Sequence, residues 1–163
     1  LELPWLNDSK KVSPKRREVL FDQIMDQAAA WSVAWVEAEE IDALDILNSR
    51  IKAMQAAIDG LSLTPALALI DGDRDHGSRC AIHTPHKTIV KGDSLSANIA
   101  AASILAKVSR DRRMEELDAQ YPGYGFAAHK GYGTKAHYGA LDVLGPCPIH
   151  RRSFLVKWQR RCS

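Results

Sequence analysis

The first part of the chain has the apolar spacing of an amphipathic helix. Ser13 followed by Pro14 predicts the helix start, because the serine hydroxyl accepts a hydrogen bond from an otherwise unpaired N–H and proline has no N–H to satisfy. We expect this helix to extend to about residue 29. Its apolar face carries Leu20, Ile24 and Ala28.

The next two segments differ from each other in period. Trp31, Val33 and Trp35 alternate with smaller residues, and this period of two predicts a strand. Between residues 39 and 58 the apolar positions return every three or four residues, which predicts one helix with a buried face. Gly60 is placed to end that helix in the left-handed conformation.

Two short extended runs each end next to an aspartate. The uninterrupted apolar run 66–70 is typical of a strand covered on both faces, and Asp71 follows it. The run 87–90 leads in the same way through Lys-Gly to Asp93. Ligands of open α/β sheets bind outside the carboxyl ends of the strands, so the two carboxylates are expected to lie close together and to suit a hard cation such as Mg²⁺ or Mn²⁺. The alternative is that each Asp-Gly pair only forms a turn.

The second half of the chain is mainly helical. An alanine-rich helix is predicted from Ser96 onward, and Pro122 with Gly123 ends it. After a segment rich in glycine and tyrosine, Thr134 is expected to cap a short helix that ends near Gly145. Helices and strands alternate without internal repeats, which predicts one α/β domain.

Composition is that of a globular protein with one core: 163 residues, 45% hydrophobic and 26% charged. No apolar run approaches the roughly 18 residues that cross a bilayer, and the first residues do not resemble a signal peptide, so a cytoplasmic protein is expected. Cys80, Cys147 and Cys162 lack paired spacing and are expected to stay reduced.

Charge is distributed unevenly although the net charge is only +2. Residues 1–60 carry 7 Lys/Arg and 11 Asp/Glu, whereas residues 61–163 carry 15 and 9. The segment 146–163 contains five cations and no acid. Such a segment attracts polyanions, with a solvated basic tail as the alternative.

Other metal and nucleotide sites fit the sequence less well. The Asp-x-Asp-x-Asp run that begins at Asp71 resembles the start of an EF-hand, but the glycine and glutamate needed at the sixth and twelfth positions are absent. Cys80, His83 and His86 have a spacing that zinc accepts, without an evident fourth ligand. The sequence also contains no glycine-rich phosphate-binding motif.

The segment 123–134 combines aromatic rings with glycines and cations. A loop of this kind can stack on a sugar or base while its backbone N–H groups and lysine contact phosphate. The alternative is a packed turn. The basic and polar neighbours favour contact with nucleic acid.

Several sequence blocks together resemble bacterial ribonuclease HII. These blocks occur in the order of that family and are residues 6–11, 70–72, 90–93, 101–111, 121–126, 129–137 and 148–154. They extend over most of the chain, from about residue 6 to residue 155.

The resemblance implies a ribonuclease H-like α/β fold, with a mixed sheet flanked by helices and a carboxy-terminal helical extension. Residues 1–145 would form that domain, incomplete at its amino end, and residues 146–163 a basic carboxy-terminal segment. The implied activity is metal-dependent hydrolysis, with Mn²⁺ or Mg²⁺, of the phosphodiester 5′ to a ribonucleotide. The implied substrates are RNA–DNA hybrids and duplex DNA with embedded ribonucleotides, as in ribonucleotide excision repair. No membrane partner is implied, and a monomer is expected.

In that family four acids hold the metals, and Asp71 and Asp93 match two of them. The adjacent Asp-Glu pair of the family's first strand has no counterpart here, and neither does its Gly-Arg-Gly loop, which reads the ribose 2′-hydroxyl. Both elements precede the 6–11 block in the family, so the chain is expected to lack the amino-terminal strands. The alternative function is therefore a catalytically inert remnant that binds nucleic acid.

The resemblance also implies residues that contact the substrate. Lys10, Lys130, Arg151 and Arg152 would lie near phosphates, and Tyr132 would contact the sugar beside the cleavage site, at the RNA–DNA junction. For the two arginines the alternative is a salt-bridged or solvated surface pair. For Tyr132 it is a core position with a buried partner for its hydroxyl group.

Overall fold

The computed structural model describes residues 3, 4, 6 and 9–159. Their helices are α1 (Pro14–Gln27), α2 (Ala38–Leu44), α3 (Ile46–Asp59), α4 (Ala97–Gln120), α5 (Phe126–His129), α6 (Lys135–Leu144) and α7 (Val156–Gln159). Their strands are β1 (Ala68–Asp71) and β2 (His86–Ile89), and two 3-10 turns cover Gly92–Ser94 and Arg152–Phe154. The predicted α/β fold class is thereby confirmed. No helix among these residues is long and apolar enough to cross a membrane.

The chain divides into two compact units. The first consists of Leu1–Val36 and Leu44–Val108, and the second of Glu37–Ala43 and Ser109–Ser163. The predicted boundary between residues 145 and 146 stays a prediction.

The core of the first unit is formed by α1 and the first half of α4. As predicted, Ser13 caps α1, with its hydroxyl accepting from the N–H of Arg16 at 3.4 Å. The residues buried together are Val12, Leu20, Phe21, Ile24, Ala101, Ile104, Leu105 and Val108. Small residues at the start of α4 allow this close packing.

The two strands are parallel. Ala68 is paired with His86 and Asp71 with Ile89, so β2 lies one residue earlier than predicted. The expectation that the first strand is covered on both faces was wrong, because Ile70 alone is buried in β1 and Leu67, just before it, is 55% exposed.

The predicted strand at Trp31, Val33 and Trp35 does not form. This segment has no regular secondary structure, because no described strand pairs with it and strand hydrogen bonds require a neighbour. Both tryptophans remain exposed. The alternating pattern therefore does not by itself make a strand.

The helix predicted over 39–58 is two helices, separated at Asp45. Asp45 has φ 76° and caps α3 by accepting a hydrogen bond from the N–H of Asn48 at 2.9 Å. Gly60 is right-handed rather than left-handed, with φ −77°. Glycine is required there for space, since a Cβ at Gly60 would lie 2.4 Å from Oγ of Ser32.

The second unit has its own apolar core, formed by Leu117, Tyr124, Phe126, Leu141 and Leu155. The predicted end of α4 before Pro122 is confirmed. The predicted cap at Thr134 is also confirmed, because its hydroxyl accepts from the N–H of His137 at 3.2 Å. Gly145 ends α6 as predicted.

Candidate functional site

The first unit holds the two candidate metal ligands at the carboxyl ends of its strands. Asp71 is the last residue of β1, and Asp93 lies in the 3-10 turn that follows β2. The N–H of Gly92 donates a hydrogen bond of 2.8 Å to Oδ1 of Asp71. This bond ties the first carboxylate to the turn that carries the second, and the joint role of the two carboxylates as metal ligands stays a prediction.

The turn at Gly92 depends on glycine for close packing. A Cβ at this position would lie 2.5 Å from Cδ1 of Ile99 and 3.3 Å from Oδ1 of Asp71. Lys91, just before it, takes the left-handed conformation with φ 57°. The Lys-Gly-Asp block thus packs the turn directly on the strand-end carboxylate.

The donor chemistry of this pair fits a hard divalent cation. Mg²⁺ is usually bound in proteins by one or two carboxylates together with water and substrate phosphate. Asp71 is exposed and Asp93 half-buried, so both are open to such ligands. Across the described part of the chain, no group of three or more His, Cys, Asp or Glu side chains is placed to hold a metal by itself.

A buried asparagine anchors the segment that follows Asp71. Oδ1 of Asn48, on α3, accepts hydrogen bonds from the N–H groups of Arg79 at 2.8 Å and Cys80 at 3.0 Å. Gly77 packs so closely that a Cβ there would lie 2.5 Å from the same oxygen. The side chain therefore stabilises the connection between the strands by satisfying backbone donors in the interior.

His86, one of the three residues with a spacing that zinc accepts, is hydrogen-bonded to a carboxylate. Nδ1 of His86 donates to the carbonyl of Thr84 at 2.7 Å, and its Nε2 lies 3.0 Å from Oδ2 of Asp75. The hydrogen bond with Asp75 raises the pKa of His86. The bonds from His86 and His76 in turn lower the pKa of Asp75 to about 2.

Lys10 is exposed and follows a buried serine. The Oγ atoms of Ser9 and Ser103 are hydrogen-bonded at 2.8 Å, and Arg17 donates to the carbonyl of Ser9 at 2.8 Å. These bonds fix the backbone beside Lys10 on the first unit. Asn7 and Asp8 of the same sequence block lie outside the described residues.

The second unit holds the other candidate nucleic-acid contacts, Lys130, Tyr132, Arg151 and Arg152. Tyr132 is 61% exposed and is therefore not a core residue. Arg110, on α4, lies with Cζ 5.3 Å from the centroid of the Tyr132 ring and donates a hydrogen bond of 2.8 Å to the carbonyl of Lys130. Arg110 thus supports the Tyr132 loop by a cation–π contact and a backbone bond.

Lys130 is already paired within the second unit. Its Nζ donates to Oε1 of Glu115 at 2.7 Å and to the carbonyl of Asp111 at 3.3 Å. A phosphate would have to compete with that carboxylate for the ammonium group.

Arg151 is half-buried without a salt-bridge partner among the described residues. Its Cζ lies 3.8 Å above the Phe154 ring, and no described side chain or carbonyl hydrogen-bonds to its guanidinium. Burial and then the neighbouring cation Arg110 lower the pKa of Arg151, although Asp42 opposes that effect. The salt-bridged alternative does not describe this residue.

Asp42 supports the turn that contains Arg152. Its carboxylate accepts from the N–H of Arg152 at 2.5 Å, from the N–H of Ser153 at 3.1 Å and from the Ser153 hydroxyl. Partial burial raises the pKa of Asp42, but these hydrogen bonds outweigh it and the pKa lies below its usual value. Asp42 is thereby engaged with the backbone, and the Arg152 side chain is exposed.

Sequence reasoning missed two of these supporting residues. Arg110 belongs to the 101–111 block, but its charge was not connected with Tyr132 because the two are 22 positions apart. Asp42 carried no signal, since its contacts with Arg152 and Ser153 span 110 and 111 positions.

The chain is similar to known proteins over nearly its whole length. The sequence model of the family described as Ribonuclease HII matches residues 2–157. Among solved structures, the crystal structure of the ribonuclease H2 from Pyrococcus horikoshii OT3 is similar with a TM-score of 0.76 and 25% sequence identity. That similarity covers 96% of this chain and 81% of the archaeal chain.

Proposed function

Because the chain belongs to the ribonuclease HII family, and is thus of the ribonuclease H-type endonucleases, we propose that it hydrolyses the phosphodiester on the 5′ side of a ribonucleotide. The substrates would be RNA–DNA hybrids and duplex DNA that contains single ribonucleotides. The activity would serve ribonucleotide excision repair in the cytoplasm, with the protein acting as a monomer. The observation that carries the proposal is the hydrogen bond that joins Asp71 to the turn bearing Asp93.

Asp71 and Asp93 would hold Mg²⁺ or Mn²⁺ together with oxygens of the scissile phosphate. When bound, the divalent ion supplies a Lewis acid that activates water and stabilises the leaving oxygen. The Gly92 N–H fixes Oδ1 of Asp71, while Oδ2 accepts no hydrogen bond from the residues described. That oxygen is therefore available to a ligand.

Hydrolysis in this arrangement has a defined outcome. Water attacks the phosphorus, the bond to the upstream 3′-oxygen breaks, and that oxygen takes up a proton. The products are an upstream strand with a 3′-hydroxyl and a ribonucleotide with a 5′-phosphate. Two carboxylates form a small ligand set, so metal binding should depend on the substrate phosphate.

Arg151 would bind a phosphate of the duplex. A planar guanidinium presents five donors, and leaving them unmatched in a half-buried place costs free energy. A phosphate would satisfy the fork with two parallel hydrogen bonds. Arg152, exposed on the same turn, and Lys10 would add longer-range attraction.

Tyr132 would stack on the deoxyribose next to the ribonucleotide. Arg110 contacts one side of the exposed ring. The residues before and after Tyr132 are glycines, which have no side chain and so allow a ligand to approach the backbone closely. An apolar ring face disfavours a 2′-hydroxyl on the sugar that it covers. Contact of this kind would distinguish the DNA side of the junction from the RNA side.

The test is to map the cut in a duplex with one embedded ribonucleotide. The strand is labelled at its 5′ end and incubated with the protein and Mg²⁺ or Mn²⁺, and an all-DNA duplex is the control. We expect one labelled product that ends in a 3′-hydroxyl directly before the ribonucleotide. Alkali cuts on the 3′ side of that nucleotide, so the labelled product of alkaline cleavage is longer than the labelled product of the enzyme. Equal cutting of both duplexes, or no cutting with either metal, would contradict the proposal.

A further inference from the structure

Three histidines are packed together behind the Tyr132 loop. The rings of His129 and His137 are stacked with centroids 4.3 Å apart, and the His150 ring lies 5.3 Å from that of His137. Phe126 contacts all three rings at 5.6–5.8 Å. His137 and His150 are buried, and none of the three is among the residues that the proposed function uses.

The partners of His137 fix where its proton lies. Nδ1 of His137 is 3.0 Å from the carbonyl oxygen of Tyr132, which can only accept, so Nδ1 carries the proton. In a neutral ring Nε2 is then an acceptor. The atom that faces it is Nε2 of His150 at 3.1 Å, which must donate.

The other side of His150 agrees with this assignment. The N–H of Cys147 donates to Nδ1 of His150 at 3.0 Å, and the Cys147 thiol lies 3.1 Å from the same atom. Burial raises the pKa of Cys147, so the sulfur keeps its proton and is a second donor. The Cys147 carbonyl is farther away, at 3.3 Å. Nδ1 of His150 is thus an acceptor, and its proton lies on Nε2.

His129 binds the other end of the loop. Its Nε2 donates to the carbonyl of Tyr124 at 2.7 Å, and its Nδ1 accepts from the N–H of Gly131 at 3.2 Å. Lys130 and Gly131, which follow His129 in this loop, take left-handed conformations with φ 51° and 76°. The loop therefore depends on side-chain bonds on both sides of Gly131.

We propose that His137 and His150 are positioning residues that form a proton-ordered pair and hold the Tyr132 backbone in place for the substrate. His150 donates from Nε2 to His137, and His137 donates from Nδ1 to the Tyr132 carbonyl. The pair acts through Tyr132 and does not touch the reacting atoms. This inference rests on the proposed role of Tyr132 in recognising the junction.

Acid opposes this arrangement. A proton added to Nε2 of His137 would place two N–H groups face to face at 3.1 Å and remove their hydrogen bond. The titratable groups that contact the pair are His129 from α5, Cys147 and Tyr124. The loop also carries Lys130, which is paired with Glu115, and Arg110 lies over Tyr132. Burial, and to a smaller extent the neighbouring histidines, lowers the pKa of both His137 and His150, although a hydrogen bond with a backbone carbonyl opposes this at each ring.

The first experiment determines which ring nitrogen of His137 and of His150 carries the proton. Long-range proton–nitrogen correlation spectra of the protein at about pH 7.5 should show His137 protonated at Nδ1 and His150 at Nε2. The exposed His83 is the internal reference and should show the ordinary tautomer mixture of a solvated ring. Any other tautomer for either buried ring would overturn the proposal. This readout needs no nucleic acid, so it separates failure of the pair from failure of the proposed function.

The second experiment measures how well two variants of His150 and one control variant recognise the RNA–DNA junction. Glutamine can replace His150 because its amide N–H reaches the Nε2 position, and it can turn its oxygen toward a protonated His137. His150→Leu keeps the volume but removes the bond. The control is His83→Gln.

The quantity is the ratio of affinities for a duplex with one ribonucleotide and an all-DNA duplex, at about pH 7.5 and about pH 5.5. We expect His150→Leu to lower the ratio about tenfold at the higher pH, with His150→Gln within about threefold of the parent. Acid should lower the ratio in the parent and in His83→Gln but much less in His150→Gln. If His150→Leu does not fold, the pH comparison between the parent and His150→Gln decides alone. Equal acid sensitivity in those two proteins, or an unchanged ratio in folded His150→Leu, would overturn the proposal.

Discussion

Oδ1 of Asp71 accepts a hydrogen bond of 2.8 Å from the backbone N–H of Gly92, 21 positions along the chain. The parallel register of β1 and β2 brings the two residues together, because it pairs Asp71 with Ile89, just before the turn. The strand-end carboxylate is therefore oriented by the segment that carries Asp93. One backbone bond thus links the two candidate metal ligands.

Replacement of Gly92 by alanine should damage this link. The added Cβ would lie 2.5 Å from Cδ1 of the buried Ile99, and overpacking of this kind costs about 1–3 kcal/mol of unfolding free energy. We expect cleavage to fall as well, because the turn must shift away from Asp71. Urea unfolding and initial cleavage rates measure the two effects.

Gly139→Ala is the matched control for that variant. Nothing lies within 4 Å of a Cβ at Gly139, which is in the interior of α6. Alanine there should stabilise the protein by about 0.5–1 kcal/mol and leave cleavage unchanged. If Gly92→Ala behaves like this control, the turn does not need glycine for packing.

Arg151 should bind phosphate through its guanidinium fork. Each phosphate contact releases a counterion, so Arg151→Ala should reduce the slope of log affinity against log salt by about one. Arg151→Lys should restore the slope only in part, because an ammonium group lacks the planar fork. Binding to duplex DNA at several salt concentrations, followed by fluorescence anisotropy, measures the slope.

The control for Arg151 is Arg113→Ala. Arg113 is exposed and paired with Glu116 at 3.3 Å, so its loss should leave the slope unchanged. An Arg151→Ala, Arg152→Ala double variant with the parent slope would show that neither side chain contacts phosphate.

Tyr132 should recognise the junction by its ring rather than its hydroxyl. Tyr132→Phe is expected to be mild, whereas Tyr132→Ala should lose cleavage and junction preference with little fall in melting temperature, because the ring is 61% exposed. Stacking on a base or sugar is worth about 1–3 kcal/mol, so affinity should fall about tenfold or more. Unaltered junction preference in Tyr132→Ala would exclude this role.

The pair of His86 and Asp75 should make stability depend on pH. The hydrogen bond with Asp75 raises the pKa of His86 above 6.5, so the folded state binds more protons than the unfolded state near neutral pH. Its contribution is complete below the unfolded pKa of about 6.5 and is lost as the pH rises through the folded pKa. Asp75, with its pKa near 2, stays ionised throughout this range.

Urea unfolding of the parent and His86→Gln between about pH 5 and about pH 8.5 measures this effect. The difference in unfolding free energy between them should shrink as the pH rises. His83→Gln, a change at an exposed histidine, is the control and should follow the parent at every pH. A difference that grows with pH would show that the pair has the opposite sign.

Local rules predicted the parts of this fold that depend on neighbouring residues. The caps at Ser13 and Thr134 and the end of α4 before Pro122 follow from hydrogen bonds and sterics within a few positions. The strand predicted from the alternation of Trp31, Val33 and Trp35 was wrong, because a strand also needs a neighbouring strand and the apolar period does not reveal one. The left-handed conformation predicted for Gly60 was wrong, because glycine at this position leaves space for Ser32, which is 28 positions away.

The site divides in the same way. The position of Asp71 beside the turn that carries Asp93 could be predicted because the ends of parallel strands meet at one edge of a sheet, a rule that needs no side-chain detail. Their role as metal ligands stays a prediction. The supports at Arg110, Asp42 and the histidine pair could not, since each depends on a contact between distant parts of the sequence.

The most direct measurement is the rate of cleavage by three aspartate-to-asparagine variants. Asparagine keeps the shape and the turn chemistry of aspartate but lacks the charge that holds a divalent ion. With Mg²⁺ or Mn²⁺ and a duplex with one ribonucleotide, Asp71→Asn should lose several powers of ten in rate, and Asp93→Asn slightly less, with unfolding free energies near that of the parent. Asp73→Asn, an exposed neighbour in the same turn region, should cut at the parent rate. Near-normal cleavage by Asp71→Asn across metal concentrations would contradict the account.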